Sequence, residues 1–263
     1  MLTDIGANLA HDSFDEDLGE VLERARENGV DRIVVTGSSV ESNDRAHSLA
    51  GKHASLYCTA GVHPHHADEY DEAMHMRVRE QMRRPAVRAA GECGLDYFRN
   101  YSAPDAQANA FSQQLDLAQE FGLPVFGHQR DAHDDFMKIV RPRLAGISRI
   151  VAHCFTAGAS ELEAYLAEDF YIGITGWICD ERRGSHLLDL VKQVPTDRLL
   201  IETDAPYLLP RTLRPKPKSR RCEPAHLIEV ARVVAQAREV SVETLAEQTS
   251  AAAATFFGFD DAG

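Results

Sequence analysis

Short apolar runs alternate with amphipathic stretches from one end of the chain to the other. The runs that read as strands are residues 2–7, 32–36, 56–62, 87–91, 124–127, 149–152, 171–175 and 199–203. They are nearly continuous in apolar character, as strands of a parallel sheet covered on both faces must be. The stretches between them carry apolar positions at helical spacing. Ser13 with Glu16, and Ser160 with Glu163, have the spacing of capping boxes. Gly29 and Gly122 stand where helices should stop, each just before a strand. After the eighth run, residues 223–238 (with Leu227, Val230 and Val234) and 241–257 (with Leu245, Ala252 and Phe256) predict two further helices that complete the wall and carry no chemistry.

Roughly eight strand–helix units in a chain of 263 residues predict an α/β fold, a (β/α)8 TIM barrel with extra C-terminal helices, as one domain over residues 1–263. A doubly wound open sheet is the other arrangement of this alternation, but no G-x-G-x-x-G turn follows the first run. Hydrophobic residues at 44% and charged residues at 26% are those of an ordinary globule. No apolar run reaches the roughly 20 residues that span a bilayer. The opening Met1-Leu2-Thr3-Asp4 lacks the basic and apolar regions of a signal peptide, which predicts a cytoplasmic protein, and we expect a monomer that meets no membrane. Five cysteines, an odd number with no C-x-x-C pair, argue against a disulfide framework and against a thiolate zinc site. Cys93 and Cys154 neighbour Glu92 and His153; alternation along a strand predicts that both face the helices and pack.

Residues able to bind metal recur where the runs end. His63 and His65 follow the third run, Glu92 the fourth, His128 the fifth and His153 the sixth, while Glu202 and Asp204 close the eighth. In a barrel the C-terminal strand ends converge on one mouth, so residues far apart in sequence would surround one point. Imidazole and carboxylate without thiolate suit a divalent cation such as Mg2+, Mn2+ or Zn2+. A lone histidine at a strand end is more often a hydrogen-bonded surface or core residue than a ligand. Recurrence in step with the strand period lifts these above that reading. His11, His47, His53, His75, His133, His186 and His226 lack it and are assigned to solvated faces or caps.

The balance of 28 basic against 41 acidic residues, a net charge of −13, counts against a protein that coats nucleic acid by bulk charge. One segment departs from it. Residues 211–221 hold Arg211, Arg214, Lys216, Lys218, Arg220 and Arg221 with no acid, and Pro215 and Pro217 keep the loop extended. Arg182 and Arg183 follow the seventh run and can add to the same patch. A solvated loop balancing nearby carboxylates is the plainer reading; beside a metal site, so much positive charge points to a polyanionic substrate. Trp177 could stack on an unpaired base or pack as a lid residue.

Thr59-Ala60-Gly61-Val62-His63-Pro64-His65, Gly91-Glu92-Cys93-Gly94-Leu95-Asp96, His153-Cys154-Phe155-Thr156, Gly173-Ile174-Thr175-Gly176 and Ile201-Glu202-Thr203-Asp204-Ala205-Pro206-Tyr207 resemble the motifs of the TatD family of metal-dependent deoxyribonucleases, in order. Asp180-Glu181-Arg182-Arg183-Gly184 and the stretch from Ser219 to Leu227 resemble its bacterial branch. The resemblance runs from Asp4 to Gly258. It implies an amidohydrolase-like barrel and Mg2+-supported hydrolysis of DNA, mainly 3′ to 5′ from single-stranded ends. It also implies that Glu92, His128 and His153 are metal ligands. Asp204 matches the acid that binds metal or takes the proton of the attacking water, and His63 and His65 match positions close to the scissile phosphate. Where the wider family opens with Asp-x-His-x-His, this chain reads Asp4-Ile5-Gly6-Ala7-Asn8, so a second metal has lost two imidazoles. On this reading Glu202 supports a ligand from behind, His63 stabilises the phosphoryl group or protonates the leaving oxygen, and the basic loop holds the strand. A metal-dependent amidohydrolase acting on a small-molecule C–N or ester bond is the alternative, which the basic loop disfavours. A non-catalytic binding protein is a further one, against which the intact set of Glu92, His128, His153 and Asp204 speaks.

Overall fold

The computed structural model describes residues 1–259; the last four positions of the expected domain lie outside the described residues. Eight strands, β1 (Leu2–Ala7), β2 (Val30–Val35), β3 (Leu56–Ala60), β4 (Val87–Asp96), β5 (Val125–Arg130), β6 (Ile150–Ala152), β7 (Tyr171–Ile174) and β8 (Leu199–Ile201), follow one another in one sheet in chain order. Between them lie α1 (Leu18–Glu27), α2 (Val40–Lys52), α3 (Glu72–Met82), α4 (Pro104–Phe121), α5 (His133–Val140), α6 (Ala159–Ala167) and α7 (Leu187–Leu190); α8 (Leu227–Arg238) and α9 (Val242–Phe257) come last. Strand order without reversal is that of a nearly closed (β/α)8 barrel; a doubly wound sheet would reverse at a switch point. Among the described residues no helix is long and apolar enough to cross a membrane.

The chain forms two compact units, residues 35–153 and residues 1–34 together with those from 154 onward. In the first, β3, β4, β5 and β6 pair in parallel; β4 pairs with β5 from Ala90↔Val125 to Asp96↔Arg130, with the register shifting between Gly91 and Cys93, at Glu92. This strand runs five residues beyond its expected end at Gly91. Glycine reads as a break because it weakens a strand. Here Gly91 (φ +132°) and Gly94 (φ +148°) let two strands approach closely: a Cβ would lie 2.3 Å from the Phe126 carbonyl oxygen at Gly91, and 1.9 Å from that of His128 at Gly94. Glu92 therefore lies inside β4, and His128 inside β5, rather than after them.

In the second unit β7 pairs with β8, and Ala7 at the end of β1 bridges Ala205 just beyond β8. Leu227, Val230, Val234, Leu245, Ala252 and Phe256 are all buried, as their helical spacing predicts. Gly122 ends α4 in the left-handed region, and Gly29 takes φ +77° two residues after α1. Neither expected capping box forms. The backbone N–H of Ser13 donates to the His11 ring, a 3-10 turn buries Phe14, and α1 starts only at Leu18. Before α6, the N–H of Gly158 donates to Glu161, so the helix begins earlier and with a different acid. Cys93 is buried as expected, but Cys154 is not on a strand: β6 stops at Ala152, Cys154 takes φ +47°, and its thiol sits half-buried, 3.7 Å from Thr175 Oγ1.

Candidate metal centre

Four elements of the 35–153 unit bring their side chains together. Glu92 on β4 is buried, and its Oε1 lies 2.9 Å from His128 Nδ1 on β5 and 2.8 Å from His153 Nε2 just after β6. Those two nitrogens are 3.4 Å apart. His63 Nε2, after β3, lies 3.3 Å from the same carboxylate oxygen. Burial alone would favour a protonated Glu92, but the surrounding imidazoles outweigh it and hold the carboxyl well below its usual range. One carboxylate oxygen with two converging imidazole nitrogens fits a divalent cation.

Asp96, four residues along β4, completes the arrangement. It is 2% exposed. Its Oδ2 accepts from His65 Nε2 at 2.8 Å and lies 3.6 Å from His128 Nε2. Burial works against its charge, yet His128 and His65 pull the carboxyl far below the ordinary aspartate range. His128 Nε2 is buried without a hydrogen-bond partner and faces this carboxylate, on the side from which proteins orient a metal-binding histidine when a cation takes the other nitrogen. Burial lowers the tendency of His128 to charge, but Asp96 and Glu92 together raise its pKa above the ordinary value. Spacing alone did not single out Asp96, because the predicted strand stopped before it.

His63 differs from the other imidazoles. Its Nδ1 accepts the backbone N–H of His65 at 3.1 Å, so the neutral ring carries its proton on Nε2. Burial pushes its pKa down to about 4, with Glu92 partly opposing. Near neutral pH His63 is therefore an uncharged N–H donor. That suits hydrogen bonding to a phosphoryl oxygen and does not suit the expected protonation of a leaving group. His63, Glu92 and His128 do form a cluster of ligand-type atoms within 4.8 Å of one another, but a ring nitrogen that carries a proton has no lone pair for a cation.

The other unit holds the remaining expected residues. Asp204, at φ +53°, donates its N–H to Gly6 O at 2.8 Å, and its Oδ1 accepts from Asn8 Nδ2 at 3.0 Å. Glu202 is fully buried and accepts the N–H of Cys154, the residue after His153, at 2.6 Å. Asp4, also fully buried, accepts from the Thr203 N–H at 2.9 Å and hydroxyl at 2.6 Å. Its burial, with Glu202 adding and these hydrogen bonds opposing, pushes its pKa up to about 7.

A family model described as TatD related DNase matches residues 3–258. The chain belongs to this family. A TatD protein of Erwinia amylovora, named a 3′-5′ ssDNA/RNA exonuclease, is 50% identical over 97% of this chain and 99% of its own. Among solved structures, a TatD family hydrolase from Entamoeba histolytica has 27% identity and a TM-score of 0.89, each chain covered to 97%. A TatD homolog from Escherichia coli has 25% identity and a TM-score of 0.90, each covered to 98%.

The basic loop of this TatD family member divides by exposure and pairing. Lys216, Lys218 and Arg220 are exposed, as are Arg182, Arg183 and Arg214. Arg183 lies 5.9 Å from the Trp177 ring centroid, and Arg214 donates to the carbonyls of Arg211 and Leu213. Arg211 pairs with Glu181 at 3.3 Å. Arg221 bonds Asp17 at 2.6 Å and Glu223 at 2.8 Å and lies over Phe14, with its side chain 21% exposed. Arg221 is thus a strut of the fold, its charge already matched by Asp17 and Glu223.

Proposed function

We propose that this protein is a metal-dependent exonuclease that removes nucleotides from the 3′ ends of single-stranded DNA and RNA. The observation that carries the reading is the buried Glu92 oxygen with His128 Nδ1 and His153 Nε2 within 2.9 Å of it, in a chain half identical to a protein named for that activity. Glu92, His128 and His153 would hold the cation, and Mg2+ is the one we assign. When bound, it supplies Lewis acidity toward a phosphate oxygen and a lowered pKa for water. Asp96 keeps the His128 lone pair available. His63 Nε2–H donates to a phosphoryl oxygen, with His65 held against Asp96 beside it. Asp204 orients and deprotonates the attacking water, in the role its family motif implies, and Glu202 fixes the backbone after His153. Lys216, Lys218 and Arg220, with Arg182, Arg183 and Arg214, neutralise phosphates of the strand. Five free cysteines support a reducing compartment such as the cytoplasm.

The test incubates the purified protein with end-labelled single- and double-stranded DNA and with RNA, in Mg2+ and in EDTA. Mg2+-dependent shortening of the single strands from the 3′ end, one nucleotide at a time, is expected. Intact strands at every metal concentration would refute the reading.

A further inference from the structure

Phe98 and Tyr101 are among the most exposed large apolar side chains described, at 54% and 65%. Both lie in the turn between β4 and α4, directly after Asp96. The turn is tied down. Asp96 Oδ1 accepts the Arg99 N–H at 2.8 Å, Asn100 Nδ2 donates to the Tyr97 carbonyl at 2.7 Å, and buried Ser102 donates to the His65 carbonyl at 3.0 Å. Two guanidinium groups sit on Phe98: Arg130 at 4.3 Å from its ring centroid and Arg99 at 5.5 Å. The Tyr101 ring meets that of His65 edge-on, with centroids 4.7 Å apart. The same two residues, Asp96 and His65, thus anchor both the turn and the imidazole cluster.

Two aromatic rings held in water beside two cations match a ligand that is planar, apolar on its faces and anionic along its backbone. An unpaired stretch of nucleic acid is such a ligand. In a duplex each base face is covered by its stacking neighbours, whereas a single strand offers its faces to protein rings. We infer that Phe98 and Tyr101 form a stacking platform for the unpaired bases next to the scissile phosphate, with Arg99 and Arg130 facing the phosphates between them. This rests on the nuclease reading and gives the preference for single strands a physical source in this chain. Because the turn is already ordered, stacking costs little conformational entropy on binding.

The test compares the parent protein with Phe98→Ala, Tyr101→Ala and Tyr101→Phe on two single strands, one natural and one whose last 3′ nucleotides are abasic. For the natural strand, each alanine variant should raise KM by roughly five- to a hundredfold, the loss of one base–ring stack, with kcat and metal content nearly unchanged. Tyr101→Phe should keep the parental KM. On the abasic strand parent and variants should coincide, a result that a merely structural role for these exposed residues would not produce. Equal KM changes on both strands, or none on either, would overturn the platform. So would a dimer of the parent that the alanine variants dissolve, since the face would then be a contact between copies. If the parent cleaves neither strand, the nuclease reading fails instead, and anisotropy binding of the same two strands decides the platform by the same criterion.

Discussion

Replacing Asp96 by asparagine keeps the shape of the side chain and removes its charge. In the folded protein Asp96 Oδ2 lies 2.8 Å from His65 Nε2 and 3.6 Å from His128 Nε2. Asparagine can still accept the Arg99 N–H, so the turn after β4 keeps its anchor. Lost is the anion facing His128 Nε2, and with it the bias that would keep the ring proton on that side when a cation takes Nδ1. Changing such an outer partner typically costs ten- to a hundredfold in metal affinity, or about 1.4 to 2.8 kcal/mol. At 3.6 Å the His128 contact is longer than a hydrogen bond, which places the expected loss nearer the tenfold end. Titration calorimetry with Mn2+ on parent and variant reads the affinity, and a thermal melt checks the fold. Because Glu92, His128 and His153 remain, excess metal should restore most of the hydrolysis rate, so the midpoint of metal activation shifts while its plateau does not. A folded variant with parental Mn2+ affinity and an unshifted activation midpoint would show that Asp96 does not set the His128 tautomer.

His128→Ala and His153→Ala should each lose most bound cation and most activity while the melt stays near the parent's, since residues at a barrel's catalytic face add little to its core; full metal retention in both would remove them as ligands. With Gly6 and Asn8 in place of two imidazoles, calorimetry should find one tight metal site, and two equally tight sites would contradict that reading of β1. Changing Lys216 and Lys218 together to alanine should weaken single-strand binding for every sequence and flatten its log–log salt dependence by about 0.7 per lost phosphate contact; an unchanged slope and affinity would take both lysines out of the interface. Because Asp4 is pushed up to about 7 on folding, the folded protein keeps a proton that the unfolded chain releases near pH 4. Stability contributed by this group is full below about pH 4 and falls as pH rises toward about 7, and Asp4→Asn should flatten that part of the melting-temperature profile; parallel profiles would refute the shift.

The strand order and the two last helices were legible because both depend on periodicity, and a buried parallel strand or a helix face leaves its period in the sequence whatever its neighbours are. The convergence of Glu92, His128 and His153 was legible for a related reason: the barrel turns recurrence at strand ends into proximity. What periodicity cannot carry is which polar atom meets which. Asp96 was hidden behind Gly91 and Gly94, two glycines that read as the end of a strand and in fact permit the tight β4–β5 approach that sets Glu92 beside His128. The tautomer of His63 follows from a backbone N–H two residues on, and the commitment of Arg221 to Asp17 follows from a contact across 204 positions. Neither leaves a trace in spacing.

Asn8 shows how a departure in sequence can be absorbed by structure. A histidine at this position would offer a lone pair to a cation, and its own charge would vary with pH. The asparagine amide instead donates to Asp204 Oδ1 at 3.0 Å. An amide does not titrate as an imidazole does, so this donor does not itself change with pH. Backbone bonds on either side, from Asp204 N–H to Gly6 O at 2.8 Å and from Asn8 N–H to Ala205 O at 2.6 Å, fix the two chain segments against each other. Gly6 contributes only its carbonyl there. Gly6 and Asn8 thus hold the Asp204 segment through neutral groups alone.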